Sequence, residues 1–431
     1  MAGLIITGGR IIDPASGMDT VGDLLIQDGR IAQVGNHNGG ASGDSGGAGV
    51  SKTLPTTVEA NGCIVTPGLI DCHVHAYEHV TPLGLNLDER CLSRGVTTAV
   101  DAGSAGCSTL PGLRKFIAEG SACRLYAFLH IAAHGLASAG CAGLLNGGEC
   151  DSLNQLDVEQ CVEAIKNNPD LVVGVKVRIT ASVADDGRNE QESYRRALQA
   201  AQNAAVPLMV HHSFSTIPKV KTEGFLSCPG DMIKGDIHTH TYHNHPGGIV
   251  DSSGRVIQDV LDARKRGVLF DVGHGAGSFS WDSLEACARD GFWPDLISTD
   301  LHVESMNGPA YDLTSVMTKL LHAGMPLVDV ISAVTSKPAA AIGKSNIIGS
   351  LKVGMEADVT ILRIEECSIE LEDTVGQTRK VTKRIVPVRV FRAGKEYPIR
   401  EYCEYPNLKS KAECLNRAKQ YAKLAPTFVR K

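Results

Sequence analysis

From about residue 60 onward, short apolar runs alternate with amphipathic segments, and the alternation repeats eight times before residue 300. The apolar runs lie at 64–72, 97–101, 124–130, 172–178, 206–211, 235–240, 268–273 and 295–299, each about the length of one buried strand. Apolar residues recur at helical spacing in the intervening segments 157–167, 190–204, 256–266 and 281–289. Parallel strands need a crossover long enough to hold a helix, so strand and helix in alternation specify βαβ units. Eight units close a barrel, whereas an open doubly wound sheet would not gather side chains from strands one, four, five, six and eight around one axis. The fold class is therefore α/β, a TIM (β/α)8 barrel over residues 61–345.

The chain ends read differently. Residues 3–35 alternate short apolar runs with Gly-, Asp- and Pro-bearing turns, and residues 348–362 return to the same pattern, so small antiparallel strands are expected in both. We expect them to pair into one small composite β domain formed from both chain ends, 1–60 and 346–400. Seven glycines fall between residues 35 and 49, and 36–56 reads as a flexible Gly-rich insertion. Helices are expected at 313–323 and 327–336, and residues 401–431 read as a C-terminal helical tail.

Lys plus Arg total 42 against 48 Asp plus Glu, a net charge of -6, and no run of like charge could follow a phosphate backbone. Nucleic acid is thus not an expected partner. The thirteen cysteines are odd in number and none forms a C-x-x-C pair, which suits free thiols in a reducing compartment better than a bridge between Cys141 and Cys150. Neither a signal segment nor an apolar run of membrane-spanning length is evident. A soluble cytoplasmic protein without membrane contact is the expectation, and a homo-oligomer is compatible with it.

Chemistry concentrates at strand ends. In Thr66-Pro67-Gly68-Leu69-Ile70-Asp71-Cys72-His73-Val74-His75, an apolar run ends in two histidines spaced i, i+2, which share one side of a strand. Lys176, His211, His240 and Asp300 also stand at or near the C-terminal ends of expected strands. Imidazoles and carboxylates suit zinc and similar divalent ions, so these six amount to one metal site, with His73, His75 and Asp300 on one ion and His211 and His240 on a second. Lys176 is the odd member, because a bare ammonium in the apolar run 173–178 is expensive to bury. Reaction with carbon dioxide would turn it into an anionic carbamate able to bridge two cations. By parity His238 and His240 share a face, with His240 nearer the mouth, and the adjacent His211 and His212 must face opposite ways. Gly273, Gly275 and Gly277 are spaced G-x-G-x-G, a poor nucleotide signature that better suits close backbone approach around His274, which is a candidate for substrate contact. Arg178 shares the face of Lys176, ~6.6 Å further toward the mouth at ~3.3 Å per residue. Its planar fork would match a substrate carboxylate, or else an internal acidic partner.

The run P-G-x-I-D-x-H-x-H, the strand-four lysine, single histidines from strands five and six, and Asp300 in Ser298-Thr299-Asp300-Leu301-His302 together resemble the amidohydrolase superfamily. The segments 174–178, 270–280 and 352–362 resemble its deacetylase-like members, often labelled dihydroorotase-like. The resemblance favours His211 over His212 and His240 over His238. It implies two divalent metal ions, zinc foremost, a carbamate on Lys176, and Asp300 as the proton-transfer residue. The activity implied is removal of an acyl group, acetyl foremost, from a small amide or ester; with Arg178, the small-molecule substrate would be an acylated amino or hydroxy acid. His302, His243, His245 and Tyr242 are further candidates for the mouth. Cyclic-amide hydrolysis of the dihydroorotase or hydantoinase kind is the nearest rival, but Tyr77 stands where dihydroorotases carry a substrate-binding arginine. A mononuclear deaminase would carry H-x-x-E after strand five, where Phe214 stands here. A non-catalytic scaffold of the same fold would have lost ligands, and all six positions are filled.

Overall fold

The computed structural model describes residues 3–35, 55–138, 147–400 and residue 416. Most of the expected insertion 36–56, Cys141 of the Cys141–Cys150 pair and nearly all of the tail 401–431 lie outside the described residues. The chain opens with β1 (Leu4–Asp13), β2 (Met18–Gln27), β3 (Arg30–Gly35), β4 (Thr56–Glu59) and β5 (Ile64–Pro67). Seven strands follow: β6 (Leu69–Val74), β7 (Val96–Gly106), β8 (Arg124–His130), β9 (Val172–Ile179), β10 (Leu208–His212), β11 (Ile237–Thr239) and β12 (Leu269–Phe270). The hairpin β13 (Val359–Glu372) and β14 (Thr378–Arg392) and the short β15 (Lys395–Tyr397) complete the list.

Both chain ends build one sheet, in the order β15-β14-β13-β5-β1-β2-β3 with β4 beside β1. Along β2, Gly22, Leu24 and Ile26 are buried while Asp23, Leu25 and Gln27 are not, the period-two pattern of a sheet with one covered face. Ile6, Ile11, Leu24, Ile26, Val359 and Phe391 belong to its core. The stretch 64–72, expected as one strand, is two. β5 pairs antiparallel with β13 in the composite sheet, and β6 starts the barrel. Gly68 makes the passage: a β-carbon there would lie 2.1 Å from Thr97 Oγ1 and 2.9 Å from Asp358 Cβ, so only glycine lets the two sheets meet this closely.

β6 to β12 run parallel, each beside its sequence neighbour. Every residue of β6 and β7 is buried, as expected for strands covered on both faces. The eighth run does not form a ladder. Parallel bridges Asp271 to Leu296 and Val74 to Leu301 close the ring, with His75 N donating to Leu301 O at 2.9 Å and Val272 N to Leu296 O at 3.1 Å. Helices Glu190–Ala204, Trp281–Arg289 and Leu313–His322 stand where periodicity puts them, whereas 327–336 divides into Leu327–Ser332 and Ser336–Ala341. Residues 213–236, between β10 and β11, contain no helix. Among the described residues no helix is long and apolar enough to cross a membrane, and the described cysteines are free thiols.

Candidate metal centre

β6 delivers His73 and His75 to the C-terminal end of the barrel, where each is fixed through Nδ1. His73 Nδ1 lies 3.0 Å from Thr239 Oγ1, and since that hydroxyl donates to Asp271 Oδ2 at 2.7 Å, it accepts from His73. His75 Nδ1 lies 3.0 Å from Ser104 Oγ. His240 Nδ1 donates to the Gly273 carbonyl at 2.6 Å. With Nδ1 protonated, His73 and His240 each present Nε2 as a lone pair, the arrangement that outer hydrogen bonds impose on metal-ligating imidazoles.

Around those lone pairs the other candidates converge. Asp300 Oδ1 lies 3.3 Å from His73 Nε2 and 3.1 Å from His75 Nε2. Lys176 Nζ, on β9, lies 3.4 Å from His73 Nε2. The rings of His211 and His240 are 4.1 Å apart, and those of His73 and His240 5.1 Å. One donor atom from each of His73, His240 and Asp300 lies within 4.8 Å of the others, close enough to share an ion. His73, His75, Lys176, His211 and Asp300 line one cavity of about 120 Å³, which also reaches Arg178, His302 and Glu304.

Electrostatics suit a cation. Burial first, then Lys176, keeps the His73 imidazole well below its ordinary pKa; burial and then His240 do the same for His211, and burial brings His240 to about 4. Each of the three is thereby biased toward the neutral form in which an imidazole can ligate an ion. Burial would push the Asp300 carboxyl up, but His73, His75, His302 and His240 outweigh it and hold it well below the usual range. The Lys176 ammonium is pushed down to about 8, burial outweighing the attraction of Asp300, so a nucleophilic amine is accessible. Imidazoles with their outer nitrogens occupied, an ionised carboxylate and a lysine facing them fit divalent ions.

Two of the candidate ligands stand on left-handed backbone, His240 at φ 63° and Asp300 at φ 46°. Neighbours on β10 and β11 explain the first. His211 pairs with Thr239 and Val210 with His238, so alternation alone would send both His238 and His240 away from the axis. The turn at His240 breaks the alternation and brings its ring inward, so parity does not select it. Such backbone costs about 1–3 kcal/mol per residue and persists only when the surroundings enforce it. Glycines allow that enforcement: a β-carbon on Gly273 would lie 2.9 Å from His240 Nδ1, and one on Gly275 would lie 2.4 Å from Asp300 Oδ2.

Two assigned substrate contacts are placed differently. Arg178 reaches the cavity, but its Nε and Nη2 engage the buried Glu149 carboxylate, the latter at 2.7 Å to Oε2. The internal acidic partner is thus present. His274 does not line the cavity: Nδ1 meets Gly275 O at 2.9 Å, Nε2 meets Lys319 Nζ at 2.8 Å, and the ring stacks on Phe279. Its contacts are with the glycine loop, Lys319 and Phe279. Of the other mouth candidates, His302 lines the cavity, Tyr242 is buried with its hydroxyl on Phe292 O, and His243 binds His212 O. His245 Nε2 is on Gly277 O at 2.6 Å, just behind the cavity wall. Sequence reasoning left Thr239, Ser104, Asp271 and Asp71 without roles. Asp71 accepts from Thr299 N at 3.1 Å and Thr299 Oγ1 at 2.6 Å, tying the closing segment beside Asp300 to β6.

Residues 280–396 match the model of the amidohydrolase family. A deacetylase from Brucella anthropi is 33% identical over 373 residues, 86% of this chain and 86% of the relative. Among solved structures, a dihydroorotase superposes with TM-score 0.79 at 28% identity, covering 93% of this chain and 99% of its own, and an adenine deaminase with TM-score 0.77 at 29% identity, covering 92% and 100%. With a relative matched at this identity along most of both chains, and the barrel in place with the candidate residues at its strand ends, the chain belongs to the amidohydrolase family and is a hydrolytic enzyme acting on amide bonds.

Proposed function

We propose that this enzyme removes an acyl group, acetyl foremost, from a small acylated amino or hydroxy acid, using two divalent ions with zinc first among the candidates. The observation that carries the reading is the convergence of His73, His75, His211, Asp300 and a buried Lys176 on one cavity, with the His240 ring against that of His211. His73, His75 and Asp300 would hold one ion and His211 and His240 the other, with a carbamate on Lys176 between them. Ions held there would supply Lewis acidity, lowering the pKa of a bound water and polarising a carbonyl. Asp300, whose carboxyl pKa lies well below its usual range and which meets His75 Nε2, takes the proton from the attacking water and passes it to the departing nitrogen or oxygen. Thr239, Ser104 and the Gly273 carbonyl hold the imidazoles so that little reorganisation accompanies the reaction. Arg178, positioned at the cavity by Glu149, is the cation we assign to the substrate carboxylate.

The named deacetylase relative supports acyl removal. Ring opening of a cyclic amide is less well supported, because Tyr77 is turned away with its hydroxyl on Thr109 O at 2.9 Å and does not line the cavity. Purified enzyme offered a panel of N-acetyl and O-acetyl acids should release acetate from some of them. Release of none, with opening of a dihydropyrimidine or hydantoin ring instead, would replace this reading. Arg178→Met should lower kcat/KM for the acid far more than for its methyl ester with metal content intact, and an equal loss on both would leave Arg178 as a partner of Glu149 alone.

A further inference from the structure

The histidine-rich end of β11 serves two places. His240 turns inward, whereas His238 faces the outer layer beside His212, with ring centroids 5.8 Å apart. His238 is fully buried, and among the described residues neither ring nitrogen has a hydrogen-bond partner. Leaving a buried polar group unpaired is costly, so both nitrogens of one imidazole call for an explanation. Cys228 is close by: one donor atom from each of His212, Cys228 and His238 lies within 4.8 Å of the others, the same closeness as in the His73, His240, Asp300 group. His212 Nε2 donates to Ile217 O at 3.1 Å, so Nδ1 is the lone pair, and it meets Lys219 Nζ at 2.7 Å. Cys228 and Lys219 both belong to 213–236, the connection that lacks a helix.

We propose that His212 Nδ1, a ring nitrogen of His238 and Cys228 Sγ bind a further divalent ion, zinc or a similarly thiophilic transition metal, with the Lys219 amine as fourth donor, and that this ion pins residues 213–236 to the barrel wall. Two imidazoles and a thiolate form a borderline-soft donor set that suits zinc, and a buried set of four protein ligands is the mark of a structural site. The Nε2–H bond to Ile217 O is the outer contact that orients a ligating imidazole. A tetrahedral ion with Zn–N near 2.0–2.1 Å would spread Nδ1 and Nζ from 2.7 Å to roughly 3.3 Å, a small adjustment for a lysine side chain. Charge is conserved in the exchange. The dication enters, the Lys219 ammonium and the Cys228 thiol each release one proton, and the site keeps the single positive charge of the buried ammonium. Burial already brings Lys219 down to about 8, while the Cys228 thiol, pushed up to about 12, ionises only beside such a cation.

The ligands assigned to the centre at the barrel mouth include no sulfur, and this separates the two sites experimentally. The full chain loaded with cobalt(II) should show a thiolate-to-cobalt charge-transfer band in the near ultraviolet. Cys228→Ser should lose that band and one equivalent of metal, and Lys176→Ala should keep the band. Absence of the band in cobalt-loaded wild type overturns the proposal without recourse to any variant, as does a band or metal count unchanged in Cys228→Ser. No turnover is measured, so the outcome is independent of the substrate.

Discussion

Gly275→Ala tests whether the glycine loop positions Asp300. The alanine β-carbon would stand 2.4 Å from Asp300 Oδ2, and ordinary contact begins near 3.4 Å, so the carboxylate or the loop must give way by 1.0 Å. A displacement of that size at a reacting group costs about 10²-fold in rate. The backbone adds a second effect, because Gly275 sits at φ +53° and a left-handed alanine costs roughly 1–2 kcal/mol. At about 2 cal/mol/K per residue of unfolding entropy, a chain of this length should lose only ~1–2 °C in Tm from that term. Gly291 supplies the control, with φ +68° and nothing within 4 Å of the place a β-carbon would take. Gly291→Ala should show the same small Tm loss and full activity, whereas Gly275→Ala should lose kcat/KM about 10²-fold, with metal content followed in both. Equal activity in the two variants would refute the idea that the loop sets the carboxylate.

Lys176→Ala should lose metal and activity and recover part of both with a short carboxylic acid that supplies a bridging anion; full activity without additive would remove the carbamate from the account. Asp300→Asn should keep much of its metal while kcat falls by ~10²-fold or more, and normal turnover at normal metal content would take Asp300 out of proton transfer. Asp312 caps helix Leu313–His322, accepting from Ser315 N at 2.7 Å, and pairs with buried Arg94 at 2.6 Å. Asp312→Asn should cost ~3–5 kcal/mol in denaturant unfolding by leaving the guanidinium buried without a carboxylate. Burial pushes this carboxyl up, but Arg94 and Ser315 outweigh it and hold it below its ordinary value. The pair's contribution is therefore present above the unfolded value and lost as pH falls through the folded one. The gap between variant and wild type should narrow in acid, and a gap independent of pH would place the effect elsewhere.

The barrel is legible because its strands are covered on both faces and read as unbroken apolar runs; β7, with eleven buried residues, is the plainest. The same property hides the junction at Gly68. Ile64, Val65, Leu69 and Ile70 are all buried, so hydrophobicity cannot show that the first two belong to the composite sheet and the last two to the barrel. The local signal was Pro67-Gly68, a pair that interrupts strands. Long-range partners left no local signal at all: Glu149 meets Arg178 across 29 residues and Lys319 meets His274 across 45, and both fall outside the reach of any periodicity.

The candidate ligands are legible by residue type in a way that their geometry is not. His240 and Asp300 stand out as candidates by residue type and place, yet both reach the axis through left-handed turns that alternation does not describe, which is also why β11 ends at Thr239 and the eighth run forms only bridges. The side chains that hold these candidates in place are also visible in the sequence. Asp71 between Ile70 and Cys72, Asp271 between Phe270 and Val272, and Thr239 among the histidines are polar residues inside buried runs, and each must find a partner there. Asp71 finds the Thr299 beside Asp300, Thr239 finds His73, and Asp271 finds Thr239. Applied to His238, the same requirement finds no hydrogen-bond partner among the described residues, and a cation held together with His212 and Cys228 is the kind of group that would meet it.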